Sequence, residues 1–479
     1  MNSKRGIVII GSGPTGLAAA YRLAKNGYRV TVLEKRPYVG GITATVRHKG
    51  MSVDLGPHRF TPHTPEVKDF VLNLLGDKVT VRKQQSHIYL WERFLTYPFS
   101  MGEILTKTDP TNLVRIGFSY LGANLKQLIA RRPVNSYLDY MRLNFGPFLA
   151  ESVFCSIAEK TWGKSASELS VDLAKQRVAL ENLFKTAVNV LFKRKSDAYQ
   201  IHLTPSPDTF YYFKDGFGEL SEALAREIKK AGGEIILGAE AKSIAVEDST
   251  CCAVVFGKAG KEERLDCDWV IATNPVTRLI PMLGTSFNDQ ATKAALGGLG
   301  FMNLRLVYLI LDRPKINDDI SMFFPAAEFP FGRIFEQKNY DEGMAPAGKT
   351  VLGVEITCRD DEETWRMEDE DLAELVGRQL EKTGLIKKDE IGDYFSLRFK
   401  DVYPIYDLHY KENTEILFCQ IAKVENLIAN GRLGLFAYNN THHSLEMGFL
   451  AADHIMSGKR KAEKWEKDRE LFDTYRIVE

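Results

Sequence analysis

Hydrophobic positions near the amino terminus switch between two periods. Arg5 to Ile10 is a compact β-branched run, and after a glycine turn the stretch LAAAYRLAKNGY places Leu17, Tyr21 and Leu23 on one helical face. Beyond Gly27, YRVTVLEK is a second apolar strand ending at the acidic Glu34. Strand, turn, helix and strand make a βαβ unit, whose parallel strands are expected to be buried. Far downstream the pattern predicts a helix from Glu219, a stop at Gly232-Gly233 and two short strands; LDCDWVIATNP then reads as another strand. A third piece, Asn426 to Gly458, joins a glycine-rich turn to the helix SLEMGFLAADHI. The expected fold class is mixed α/β, with a Rossmann-like dinucleotide-binding domain assembled from separated segments.

Between these segments the pattern changes. Thr106 to Lys195 carries helical periodicity, whereas Phe301 to Ile416 alternates short β runs such as RLVYLIL and TVLGVEITC with turns. This predicts a discontinuous cofactor domain from residues 1–90, 206–300 and 415–479. An interleaved substrate part would come from residues 91–205 (helical) and 301–414 (mixed α/β). The charge pattern of the C-terminal KRKAEKWEKDRE reads as a solvated helix.

Composition narrows the partners. With 479 residues, two or three domains are expected. Lys+Arg and Asp+Glu are balanced at 63 each, so no global positive field argues for nucleic acid. No apolar run is long enough to span a membrane. The N-terminus lacks signal-type patterning, which points to a cytoplasmic chain. The six cysteines lack ligand spacing, so packed reduced thiols and no metal site are expected. Asn112 to Arg132 mixes large apolar residues with basic ones at helical spacing, compatible with a packed amphipathic helix or with peripheral contact to a membrane surface. The pattern specifies no oligomeric state.

GSGPTG, with Gly11, Gly13, Pro14, Thr15 and Gly16, has the spacing of a dinucleotide turn. Its first glycine permits the turn, the second lets backbone approach a pyrophosphate, and the third lets helix and strand pack. Glu34 stands where a carboxylate meets a ribose hydroxyl, which disfavours a 2′-phosphate. FAD and NAD share this fingerprint.

The glycine pair Gly40-Gly41 resembles an extension seen in flavoproteins related to monoamine oxidase and protoporphyrinogen oxidase, and IANGRLGLFAYNNTHHSLEMGFLAADHI resembles their closing motif. The resemblance implies FAD, held in a three-layer ββα domain. It also nominates Lys35, His58, Arg59, Phe60, Ala241, Asn274, Gly431, Arg432, Asn440 and Thr441 beside the cofactor. Several blocks are closer to UDP-galactopyranose mutase and mutase-like proteins of polysaccharide biosynthesis. VDLGPHRFTPHTPEV resembles the mutase histidine loop, with His58 over the flavin, and EKTWGKSASELSVDLAKQRV resembles a Trp-Gly turn followed by an arginine, here Trp162, Gly163 and Arg177. GRLG resembles the start of the mutase C-terminal motif, although its tyrosine-rich continuation is replaced by NNTHHSLE. FPFGRIFEQKNY and VYPIYDLHY resemble places where Arg333, Tyr403 and Tyr406 approach a ligand.

Two chemistries follow from the resemblance. In the first, a nucleotide-linked sugar is held by Arg177, Arg333 and Arg432 with flavin N5 as reactive centre, in a mutase-like or redox reaction. In the second, an oxidase or desaturase of protoporphyrinogen-oxidase type transfers a hydride from a larger apolar substrate to flavin. His58, Tyr406, His442 and His443 complete the catalytic candidates, and the two last could instead cap the helix beginning near Ser444.

Overall fold

The computed structural model describes residues 6–99, 101–130, 133–177, 203–206, 208–459, 461, 464–475 and 477. At its centre is a five-stranded parallel sheet in the spatial order Leu427–Ala429, Trp269–Ala272, Gly6–Ile10, Arg29–Glu34, Glu234–Leu237. The first strand is buried at every position, as a parallel strand covered on both faces must be. Helices Pro14–Lys25, Glu219–Lys230 and Thr441–Ser457 pack together on the sheet. Closeness between the first and last depends on Gly448, where a Cβ would fall 2.3 Å from the Thr15 carbonyl oxygen. An antiparallel three-stranded sheet, Ala239–Glu247, Thr250–Lys258 and Lys261–Asp266, forms the further β-layer of a ββα arrangement.

A seven-stranded sheet carries the second half of the molecule, in the order Ile391–Pro404, Phe301–Leu311, Thr350–Cys358, Arg333–Glu336, Ser321–Phe323, Ser86–Leu90, Arg93–Thr96. Its pairs are antiparallel except Ser321–Phe323 against Ser86–Leu90. Helix Asp369–Lys382 covers one face through Leu372, Val376 and Leu380, closing a second apolar core. Helices Pro110–Ala130, Tyr137–Leu149, Ser156–Trp162 and Val171–Arg177 form the helical segment; the rest of that stretch, residues 178–195, lies outside the described residues.

The C-terminal segment departs from the solvated helix its charges suggest. Among the described residues, helix there runs Trp465–Glu470, and Trp465 is buried. Lys461 is buried too, its Nζ donating to the carbonyls of Ile421, Val424 and Leu427. A lysine tied to three carbonyls satisfies its donors without water, which charge patterning cannot reveal.

Candidate functional site

The glycine turn is shaped by contacts that exclude side chains. Gly11 has φ +102°, and a Cβ there would lie 2.3 Å from Thr273 Oγ1. At Gly16 a Cβ would lie 2.1 Å from the Gly11 carbonyl oxygen. Gly13 is different: a Cβ there meets nothing within 4 Å, so space remains over the start of the helix that begins at Pro14. Gly41 faces the same space, where an added Cβ would lie 3.5 Å from Gly13 Cα, while Gly40 donates its N–H to the Ser12 carbonyl. Backbone approach and a helix N-terminus together suit a pyrophosphate.

Glu34 is buried at the end of its strand. Its Oε2 accepts from the N–H and hydroxyl of Ser12 at 2.9 and 2.7 Å, and Oε1 accepts from the Arg36 N–H at 2.8 Å. These bonds hold the carboxylate at the turn, where a ribose hydroxyl would meet it. Lys35 is exposed beside it, and Ala241 lies in strand Ala239–Glu247 of the three-stranded sheet, paired with Phe256. Asn274 follows strand Trp269–Ala272, with a buried Oδ1 that accepts no hydrogen bond among the described residues. Gly431 has φ +75° and packs against Thr15, which brings the C-terminal motif onto the first helix.

Elsewhere in the fold, side chains from distant segments converge on Tyr403. Glu355, Arg333, Arg432 and Arg177 all act electrostatically on its hydroxyl, which burial pushes above its ordinary pKa. Arg432 lies over Tyr403 and Tyr438, 5.4 and 4.7 Å from the ring centroids; Arg177 lies 5.3 Å from both Trp162 and Tyr438. Arg333 pairs through Nε with Glu355, its partner across the two strands. Among the described residues no carboxylate pairs with Arg432, and its buried Nε donates no hydrogen bond. Burial lowers the pKa of that guanidinium, with the charge of Arg177 adding to the effect.

His58 lies within reach of the same cluster, with Arg333 and Arg432 among its charged neighbours. Burial holds its pKa down at about 4, so it is a neutral imidazole near pH 7, and its Nε2–H donates to the Ile42 carbonyl at 2.8 Å. Arg59 is half-buried next to it, whereas Phe60 is fully buried against Tyr211 and Phe213 and anchors the loop. Tyr406 is stacked on Tyr410 with ring centroids 4.0 Å apart, and its ring edge meets Tyr438.

The last helix begins at Thr441, three residues earlier than expected, with Asn440 at its N-cap; His443 Nδ1 accepts the Asn440 N–H. His442 and His443 meet His63, and ring nitrogens of the three lie within 4.8 Å of one another. Two features disfavour a cation there. The trio lies at the positive end of the helix dipole, and a neutral His443 accepting through Nδ1 carries its proton on Nε2.

Sequence reading missed Tyr438, Glu355 and Ser12. Tyr438 is inside the motif that named Arg432, so spacing from that arginine offered a signal. Glu355 is specified only by strand register.

The geometry is that of a dinucleotide-binding flavoenzyme, with a glycine turn at the start of a helix and a separate cluster of arginines and tyrosines. Residues 14–463 match the family model described as flavin containing amine oxidoreductase. The chain belongs to this family, is an FAD-dependent enzyme and uses FAD as cofactor. A 1-hydroxycarotenoid 3,4-desaturase from Flavobacterium sp. (strain P99-3) is 42% identical over 87 residues, 18% of each chain. Protoporphyrinogen oxidase 2 of Arabidopsis thaliana is 21% identical over 503 aligned positions, covering 95% of this chain and 94% of that one. Among solved structures, reduced UDP-galactopyranose mutase superposes with a TM-score of 0.79 at 21% identity, covering 95% and 96% of the two chains. That likeness is one of fold. No described helix is long and apolar enough to cross a membrane.

Proposed function

We propose that the chain acts on a nucleotide-linked sugar, with the diphosphate bound between Arg432 and Arg177. The observation that carries this reading is the half-buried Arg432, whose buried Nε donates no hydrogen bond and which has no carboxylate partner among the described residues, with a second arginine also against Tyr438. A buried cation is costly unless an anion compensates it, and guanidinium forks match phosphate oxygens bidentately. Trp162, Tyr403 and Tyr438 supply rings beside the two cations.

Gly11, Gly13, Gly16, Glu34, Gly40 and Gly41 would hold FAD, with the Thr441 helix end directed at it. When bound, FAD supplies an N5 centre able to exchange electrons or a covalent bond with substrate. His58, neutral and fixed by the Ile42 carbonyl, adds no charge to compete for the diphosphate. Arg333, already tied to Glu355, is a lesser anion contact than Arg432 and Arg177.

Anaerobic absorbance titration with UDP-, GDP- and dTDP-sugars, using oxidised and reduced protein in parallel, tests the reading. One nucleotide sugar should perturb the flavin bands, and Arg432→Ala and Arg177→Ala should each weaken that binding by about ten-fold or more. No perturbation by any nucleotide sugar, or unchanged affinity in both variants, would favour oxidation of a larger apolar substrate instead.

A further inference from the structure

Helix Pro110–Ala130 exposes an apolar stripe that the site described above does not use. Val114, Phe118, Leu121 and Leu125 are 56%, 75%, 65% and 59% exposed. At about 100° per residue these four positions fall within roughly one-sixth of the helix circumference. The opposite face is occupied: Ser119 and Tyr120 pack closely against Gly146 of helix Tyr137–Leu149. The stripe is therefore an outward surface, larger than scattered apolar residues would give.

Charge selects what covers it. Helix Pro110–Ala130 contains Arg115 and Lys126 and no acidic residue, and Arg131 and Arg132 follow it in the sequence. If a second copy packed its own helix onto the stripe, cations would face cations with no carboxylate on either helix to pair them. An anionic lipid surface supplies both an apolar layer for the stripe and phosphates for the basic side chains.

We propose that helix Pro110–Ala130 docks in the plane of an anionic phospholipid surface, with Val114, Phe118, Leu121 and Leu125 inserted. Arg115 is exposed beside the stripe, 5.9 Å from the Phe148 ring, where its head can meet lipid phosphate while its stem lies on apolar surface. Docking is peripheral, since no described helix can span a bilayer.

Flotation of the full-length, FAD-loaded protein with vesicles of phosphatidylcholine alone, or mixed equally with phosphatidylglycerol, tests the proposal. Wild type should float with the mixed vesicles and far less with the neutral ones. Phe118→Ser/Leu121→Ser and Arg115→Gln/Lys126→Gln should each reduce that binding by about ten-fold with flavin content unchanged. Should the first pair lose flavin, Val114→Ser/Leu125→Ser replaces it. Absence of wild-type flotation, or flotation equal to that of the variants, would overturn the proposal. So would a wild-type dimer by light scattering that becomes monomeric in the serine variants without any change in vesicle binding.

Discussion

Trp162 donates its indole N–H to the hydroxyl of Tyr438 at 2.5 Å, and that hydroxyl in turn donates to the Pro404 carbonyl. One phenol thereby joins a helix of the helical segment, the last strand of the large sheet and the C-terminal motif. Both side chains are buried. Tyr438→Phe keeps the ring between Arg177 and Arg432 but leaves the indole N–H and the carbonyl without this partner. Unfolding free energy should fall by about 1–3 kcal/mol. Urea denaturation of the FAD-loaded variant measures it, and an unchanged midpoint and slope would dismiss the link.

Gly13 separates cofactor binding from folding. Because a Cβ there touches no protein atom within 4 Å, Gly13→Ala should leave the apoprotein as stable as wild type while lowering its FAD affinity. Gly11→Val should instead damage both, given φ +102° and the approach of Thr273. Flavin absorbance per protein and apoprotein melting distinguish the two, and a Gly13→Ala/Gly11→Val pair retaining full flavin would remove the turn from the cofactor site.

Glu34→Ala should release the Ser12 turn as well as the ribose contact proposed for this carboxylate. Three donors lose their carboxylate acceptor, so FAD affinity should drop by about ten-fold or more. Isothermal titration of the apoprotein with FAD reads the change; wild-type affinity would show that the carboxylate serves only the turn.

Acid lability should trace partly to His454, near the C-terminal end of helix Thr441–Ser457. It is fully buried against Trp269, and neither ring nitrogen makes a hydrogen bond among the described residues. Burial lowers its folded pKa to about 4, below the unfolded value of about 6.5. The unfolded chain therefore takes the proton first, and stability present above pH ~6.5 is lost as pH falls toward ~4, at up to about 1.4 kcal/mol per pH unit. His58, held at about 4, and His443, at about 3, act in the same direction. His454→Phe should reduce the slope by one proton's worth in urea titrations spanning pH 5 to 7.5; an identical slope would exclude this residue.

Legibility followed sequence distance. The turn from Gly11 to Gly16 and the strand end at Glu34 lie within one βαβ unit, whose chemistry repeats wherever backbone must approach a phosphate. Arg177, Arg333 and Arg432 were nominated by resemblance, but the pattern around each says nothing of their common neighbour Tyr403. Pairing of Arg333 with Glu355 depends on register between strands Arg333–Glu336 and Thr350–Cys358, which periodicity alone does not encode. The start of the last helix moved to Thr441 because Asn440 and His443 form its cap, a local geometry that competes with several polar candidates in NNTHHS.

Local chemistry in the chain was thus enough for the dinucleotide turn, the parallel strands and the amphipathic helix Pro110–Ala130, since glycine conformations, β-branched runs and helical periodicity act over a few residues. Tertiary structure decided which of that helix's faces stays uncovered, which half-buried arginine lacks a carboxylate among the described residues and which tyrosine meets two guanidiniums. Those outcomes depend on packing between segments far apart in sequence, where burial and register set the electrostatics that composition leaves undetermined.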